Sequence, residues 1–144
     1  MRELNYQPNA THSYESGSNA VGFPMIIGDH VVIIKDITDP KKTKKGDKWG
    51  CFFVFEDCKN SSVISMWVQC NEDGSWIDSF SSLGKFNRVC EAIGIGEGNY
   101  FLDAFLNRCL MINVERQEEY LRVKRMWMCC EEEREVAIDY LSRK

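Results

Sequence analysis

Residues Ser62 to Cys70 constrain the fold most, because they alternate with a period of two. Ile64, Met66, Val68 and Cys70 fall on one side, and Val63, Ser65, Trp67 and Gln69 on the other. Successive side chains of a strand point to opposite faces, so this stretch reads as a half-buried strand with the first set toward the core. Two further strand-like runs precede it. Gly28 to Ile37 is β-branched and bounded by Gly and Asp-Pro, and Trp49 to Glu56 is rich in aromatic residues. In the second run Glu56 suggests that Phe52, Val54 and Glu56 face outward, with Phe53 and Phe55 in the core.

The pattern then changes period. Leu83, Phe86, Val89, Cys90 and Ile93 form an i, i+3, i+4, i+7 stripe that Ser81 or Ser82 can cap. Gly94 stands in the usual place for a left-handed helix stop. A turn of helix is expected near Tyr100 to Phe105. Cys109 to Arg116 and Tyr120 to Met128 read as a hairpin turning at Gln117-Glu118-Glu119. Leu110, Ile112, Val114, Leu121 and Val123 are expected inward; Met111, Asn113, Glu115, Arg122 and Lys124 are expected outward. Glu131 to Leu141 looks like a terminal helix, acidic at its start and followed by Arg143 and Lys144, which suits the helix dipole.

Three strands, a helix and a two-stranded hairpin is the layout of the OB-fold. The expected fold class is therefore mainly β: a five-stranded OB-fold-like Greek-key barrel with a helix between strands 3 and 4 and a C-terminal helix. Residues 1–22 are polar, without sustained periodicity, and are expected to form a flexible arm. Residues 23–130 would be the OB domain and 131–144 a helix or tail.

The linker between the first two strands stands out chemically. Lys41, Lys42, Lys44, Lys45 and Lys48 place five lysines in eight residues, followed at once by Trp49 and Phe52. Lysines neutralise phosphates and aromatic faces stack on bases, a pairing suited to single-stranded nucleic acid. The OB-fold usually binds oligonucleotides on strands 2 and 3 and on the loops joining strands 1–2 and 4–5. Those elements carry Lys41, Lys42, Lys44, Lys45, Lys48, Trp49, Phe52, Trp67, Arg116, Arg122 and Lys124, the candidate nucleic-acid-binding set. Each has a plainer alternative. The lysine loop would otherwise be a solvated hairpin tip. Trp67 would be buried beneath a loop, the arm or the terminal helix. Arg122, Lys124 and Arg125 would pair with Glu115, Glu118 and Glu119. Trp76 and Trp127 read as packing residues. The terminal helix, with Val136 and Tyr140 and with Ala137 and Leu141 at i, i+4, would either recruit a partner or pack back on the barrel.

Composition limits the reading. The formal net charge is -4, so affinity for nucleic acid must come from a local patch. Seven cysteines without a Cys-x-x-Cys pair, and histidines only at His12 and His30, give no metal-ligand spacing and no catalytic constellation. No enzyme activity, metal or cofactor is expected. Gly94-Ile95-Gly96-Glu97-Gly98 follows a helix rather than a strand and lacks phosphate-loop spacing. Met1-Arg2-Glu3-Leu4-Asn5-Tyr6 has no apolar leader, and no apolar run spans a membrane, so a reduced, cytoplasmic setting is expected.

Several segments together resemble a family of bacteriophage single-stranded-DNA-binding proteins of OB-fold type. They are Leu4-Asn5-Tyr6-Gln7-Pro8-Asn9, Gly28-Asp29-His30-Val31-Val32-Ile33-Ile34-Lys35-Asp36, Lys44-Lys45-Gly46-Asp47, Phe86 to Ile95, and Leu106 to Val114. Asn107-Arg108 stands where the family tends to have Gly-Lys. The resemblance implies an accessory role in phage replication or recombination, in the bacterial host cytoplasm. Single-stranded DNA would be the ligand, with RNA a related one; a homo-oligomer and replication or recombination proteins are the partners it suggests. The alternative is a protein-interaction module, such as an inhibitor of a host enzyme, on the same barrel; net acidity favours it.

Overall fold

The computed structural model describes residues 23–44, 46, 48–72, 80–96 and 102–144. The expected arm (1–22), Lys45 and Trp76 lie outside the described residues. The elements run β1 (Gly28–Ile37), β2 (Lys41–Lys42), β3 (Trp49–Asp57), β4 (Val63–Cys70), α1 (Phe80–Ile93), a 3-10 turn (Leu102–Ala104), β5 (Cys109–Gln117), β6 (Tyr120–Trp127) and α2 (Glu131–Ser142). Helix α1 starts at Phe80, so Ser81 and Ser82 fall within it rather than ahead of it.

The protein is mainly β, with two α-helices among the described residues. All strand pairs are antiparallel: β4 with β3, β3 with β1, β1 with β5 and β5 with β6. Six strands are present among the described residues where five were expected. The extra one is β2, inside the lysine linker. Lys41 and Lys42 pair with Gly50 and Trp49. This continues the β1 pairing on β3 after a buried bend at Thr38-Asp39-Pro40, where the Thr38 amide donates to the Phe52 carbonyl at 3.0 Å. The sheet ends, β4 and β6, share no hydrogen-bonded ladder, so the sheet is open. Helix α1 packs against β4, β5 and β6.

The alternating residues behave as their period requires. Ile64, Met66 and Val68 join Val32, Ile34, Ile37, Phe53, Phe55, Leu110, Ile112 and Val114 in the main core. Phe86, Val89 and Ile93 enter it from α1, and Phe86 stacks on Phe105 with ring centroids 5.8 Å apart. Leu121 and Val123 pack on its margin. Gly94, at φ +77°, ends α1 and lets the Ile95 amide reach back to the Cys90 carbonyl at 2.9 Å, as a left-handed cap should.

Helix α2 packs back on the sheet. It covers the face of β1 and β5 that points away from the main core, forming a second cluster with Val31, Ile33, Cys58, Met111, Cys129 and Ala137. Met111, expected outward, is on that outer face but buried under the helix. Trp127, Tyr140 and Leu141 flank the cluster, as the packing reading of Trp127 anticipates. Three glutamates occupy the first turn of α2. The Glu133 carboxylate accepts the Cys130 amide at 2.8 Å and closes that end. At the other end Ser61 and Tyr140 share a hydroxyl hydrogen bond of 2.7 Å, and Lys144 bonds Glu56 on β3. Among the described residues no helix is long and apolar enough to cross a membrane.

Glu56 is buried, with Lys35 also 3.5 Å away. Burial alone would raise its carboxyl. Hydrogen bonds from Lys144 and Tyr140 and the charges of Lys144 and Lys35 outweigh that and hold it below its ordinary value. A carboxyl lowered in the folded state contributes stability above its unfolded value, about 4.3, and loses it as pH falls through the lower folded one. Urea midpoints of wild type should therefore fall below about pH 4, and Glu56→Gln should show a shallower acid loss. An unchanged acid slope in Glu56→Gln would remove this pair as the source.

Candidate nucleic-acid interface

The described residues of the lysine linker form a hairpin around β2. The Thr43 amide donates to the Lys48 carbonyl and the Gly46 amide to the Thr43 carbonyl, both at 2.8 Å. Gly46 sits at φ +75°, a conformation glycine adopts without steric cost. Lys42, Lys44 and Lys48 are exposed and Lys41 is half-buried. Among the described residues none of these four lysines has an acidic partner.

Strand register sorts the candidates by face. Directly paired residues point the same way. Lys41 pairs with Gly50 and Gly50 with Gln69, while Phe52 pairs with Trp67. Lys41, Gly50, Phe52, Trp67 and Gln69 therefore share one face. Lys42, Trp49 and Cys70 pair across the other. Trp49 and Phe52 are three residues apart, so they lie on opposite faces. Trp49, Phe52 and Trp67 cannot form one stacking floor.

Phe52 faces away from the core, as expected, yet it is only 6% exposed. Its ring meets Trp67 edge-on, with centroids 5.2 Å apart and planes at 66°. The Phe52 amide donates to Thr38 Oγ1 at 2.8 Å, and its carbonyl accepts from the Thr38 amide. Both backbone groups thus point away from β4, which makes Phe52–Trp67 a non-hydrogen-bonded pair, the kind with the closer side chains. Phe52 supports Trp67 rather than offering a free ring. The six-membered ring of Trp67 lies over Gly50, where a Cβ would stand 2.2 Å from Cζ2. Glycine at position 50 is the seat of the indole. Trp67 itself is half-buried, on the face shared with Lys41.

The β5–β6 hairpin contributes less free charge than its sequence suggests. Arg122 Nε and Nη2 donate to Glu115 Oε1 at 3.0 and 2.8 Å, and Lys124 lies 3.2 Å from Glu115 Oε2. The Arg122 hydrogen bond, foremost, holds the Glu115 carboxyl below its ordinary value against desolvation, with Lys124 adding to the lowering. Cross-strand pairing, the plainer alternative, is thus what Arg122 and Lys124 do with Glu115. Arg116 is exposed and pairs with Leu121 on the opposite face of the hairpin. Sequence reading missed Lys85 on α1, which donates to the Trp67 carbonyl at 3.0 Å, and Arg88 one turn further on. Their Lys-x-x-Arg spacing was visible, but not that the helix lies against β4 and β6.

His30 is held structurally. Nδ1 is 2.6 Å from Asp57 Oδ2 and Nε2 is 2.7 Å from the Ile26 carbonyl oxygen. Asp57 Oδ1 accepts the amides of Lys59 and Asn60 at 2.6 and 3.1 Å. A cavity of about 420 Å³ opens beside this pair, with Asp29, Lys59, Glu132 and Glu133 on its walls. Its acidic rim is unsuited to phosphate, and none of its lining residues belongs to the lysine hairpin or β4. Among the described residues no group of three or more His, Cys, Asp or Glu is placed to hold a metal ion. No protein-family model matches the chain, and no curated protein matches it.

Gly50→Ala should displace the Trp67 ring. The expected cost is about 1–3 kcal/mol of stability, as for overpacking, with a red-shifted tryptophan emission. Denaturant titration with a fluorescence readout checks both; wild-type stability and emission would mean the indole does not rest on Gly50.

Proposed function

We propose that this chain binds single-stranded nucleic acid, DNA in the first place, without strong sequence preference. The observation that carries the reading is the partly exposed Trp67 on the face it shares with Lys41, beside a hairpin whose exposed lysines have no acidic partner among the described residues. A base stacked on Trp67 would contribute about 1–3 kcal/mol. The lysines would neutralise phosphates on either side. The strand order β4-β3-β1-β5-β6, with a helix between β4 and β5, follows the OB layout and supports reading the open sheet as a barrel of that type. Phe52 and Gly50 fix the indole from below, which leaves Trp67 as the principal stacking group. A role in protecting or handing over single strands during phage replication or recombination fits this chemistry.

A second reading, a protein-interaction module, is favoured by one specific feature. Phe23, Ile26 and Ile27, just ahead of β1, are 77%, 68% and 55% exposed. Such a group of apolar side chains suits contact with another protein surface.

Labelled oligo-dT should bind at low salt and quench tryptophan emission. With roughly 3–5 phosphate contacts, log affinity should fall with log salt at a slope of about -2 to -3.5. Changing Lys41, Lys42, Lys44 and Lys48 together to Glu should abolish binding while circular dichroism is unchanged. Trp67→Ala should weaken binding by the stacking contribution above. Wild-type protein that leaves oligo-dT unbound at low salt would overturn the reading.

A further inference from the structure

The seam between β4 and β6 is built in a way the nucleic-acid reading does not use. Phe52 turns its backbone groups toward Thr38, so Trp67 turns its own N–H and C=O away from β3, toward the sheet's open side. In a closed sheet a neighbouring strand would take that carbonyl. Here the Lys85 ammonium takes it, at 3.0 Å. Helix α1 packs on both β4 and β6, so Lys85 stands at the gap between them.

Other cations gather at the same gap. Arg88 follows Lys85 by three residues on α1 and is exposed, with no partner among the described residues. Arg122 approaches from β6. Burial, and then the neighbouring charges of Arg122 and Arg88, hold the Lys85 ammonium below its ordinary value. Among the described residues Glu115 is the acid paired with this group, and it is shared between Arg122 and Lys124. Lys85, Arg88, Arg122 and Lys124 together therefore carry a charge that Glu115 only partly offsets. Donors also remain. An ammonium has three N–H groups, and among the described residues Lys85 Nζ reaches one acceptor, the Trp67 carbonyl; Arg122 engages Glu115 through Nε and Nη2, not Nη1.

We propose that the Lys85–Arg88–Arg122 seam is a second phosphate-binding site, which takes the backbone of a single strand as it leaves the Trp67 ring and crosses the sheet edge. The proposal rests on the single-strand reading above and extends it. Trp67 joins the two sites: its indole lies over Gly50 on the sheet face that Lys41 shares, and its carbonyl holds Lys85 at the seam. The strand's path would run from the lysine hairpin across Trp67 to α1, so the seam would be reached only by oligonucleotides long enough to pass the sheet edge.

The test compares short and long oligo-dT on wild type, Lys85→Gln/Arg88→Gln, and Arg88→Gln alone. Gln at 85 can still donate to the Trp67 carbonyl, and Arg88 is exposed, so Arg88→Gln alone keeps the test valid if the double variant unfolds. For long oligo-dT the double variant should lose affinity at low salt, with the salt slope shallower by about 1.4; Arg88→Gln alone should lose about 0.7. Short oligo-dT should bind all three proteins alike. Inorganic tripolyphosphate, followed through the Arg88 side-chain N–H resonance, separates a strand site from a general polyanion site. A shift with tripolyphosphate but not with long oligo-dT would overturn the proposal. So would an unchanged slope in the variants while wild type binds, which leaves the single-strand reading intact. Failure of wild type to bind oligo-dT of any length would overturn both.

Discussion

Strand β3 has no side that faces water. It is hydrogen-bonded to β4 along one edge and to β1 and β2 along the other. Every residue from Gly50 to Asp57 is buried. Cys51, Phe53 and Phe55 enter the main core. Phe52, Val54 and Glu56 point the other way and are buried too. A buried polar group without a partner costs about 1–3 kcal/mol, so each polar atom on this strand must be met by something. Asp57 is met by His30 and the Lys59 and Asn60 amides, Glu56 by Lys144 and Lys35, and the Phe52 amide by Thr38. The start of β1, the bend before β2 and the end of α2 are all drawn to β3 by its needs.

The same strand explains what the sequence could and could not reveal. Strand β4 alternates cleanly, and its core set, the α1 stripe and the β5–β6 hairpin were legible from period alone. In β3 both faces are apolar, so period two carries no signal, and burial of Phe52 could not be read. The opposite facing of Trp49 and Phe52 is simple parity, obscured by treating the aromatic run as one group. The short β2 lay hidden in a lysine run that charge marks as loop. Docking of α2 depends on long-range contacts, Lys144 with Glu56 and Tyr140 with Ser61, which local pattern cannot supply. Lys85 and Arg88 lie outside the apolar stripe of α1, and only the packing of that helix on β4 and β6 gives them a role.

Charge is segregated on a chain that is acidic in sum. Glu132 and Glu133 of α2's first turn and Asp29 line one cavity, with His30 and Lys59. Lys41, Lys42, Lys44 and Lys48 cluster on the β2–β3 hairpin, and Lys85, Arg88 and Arg122 at the β4–β6 gap. Separation of this kind orients an approaching polyanion even when net charge is negative, because nearby charges dominate within a Debye length, about 8–10 Å.

An open sheet leaves backbone groups on its outermost strands available to strands of other molecules, which is how sheet proteins join edge to edge and aggregate. Charged side chains at an edge, lysine above all, are a common defence. Lys85 occupies the Trp67 carbonyl on β4, while Arg122, Lys124 and Arg125 line β6. A second copy offering the same edge would bring like charges together. Like charges facing each other across this seam oppose edge-to-edge pairing of two copies through it.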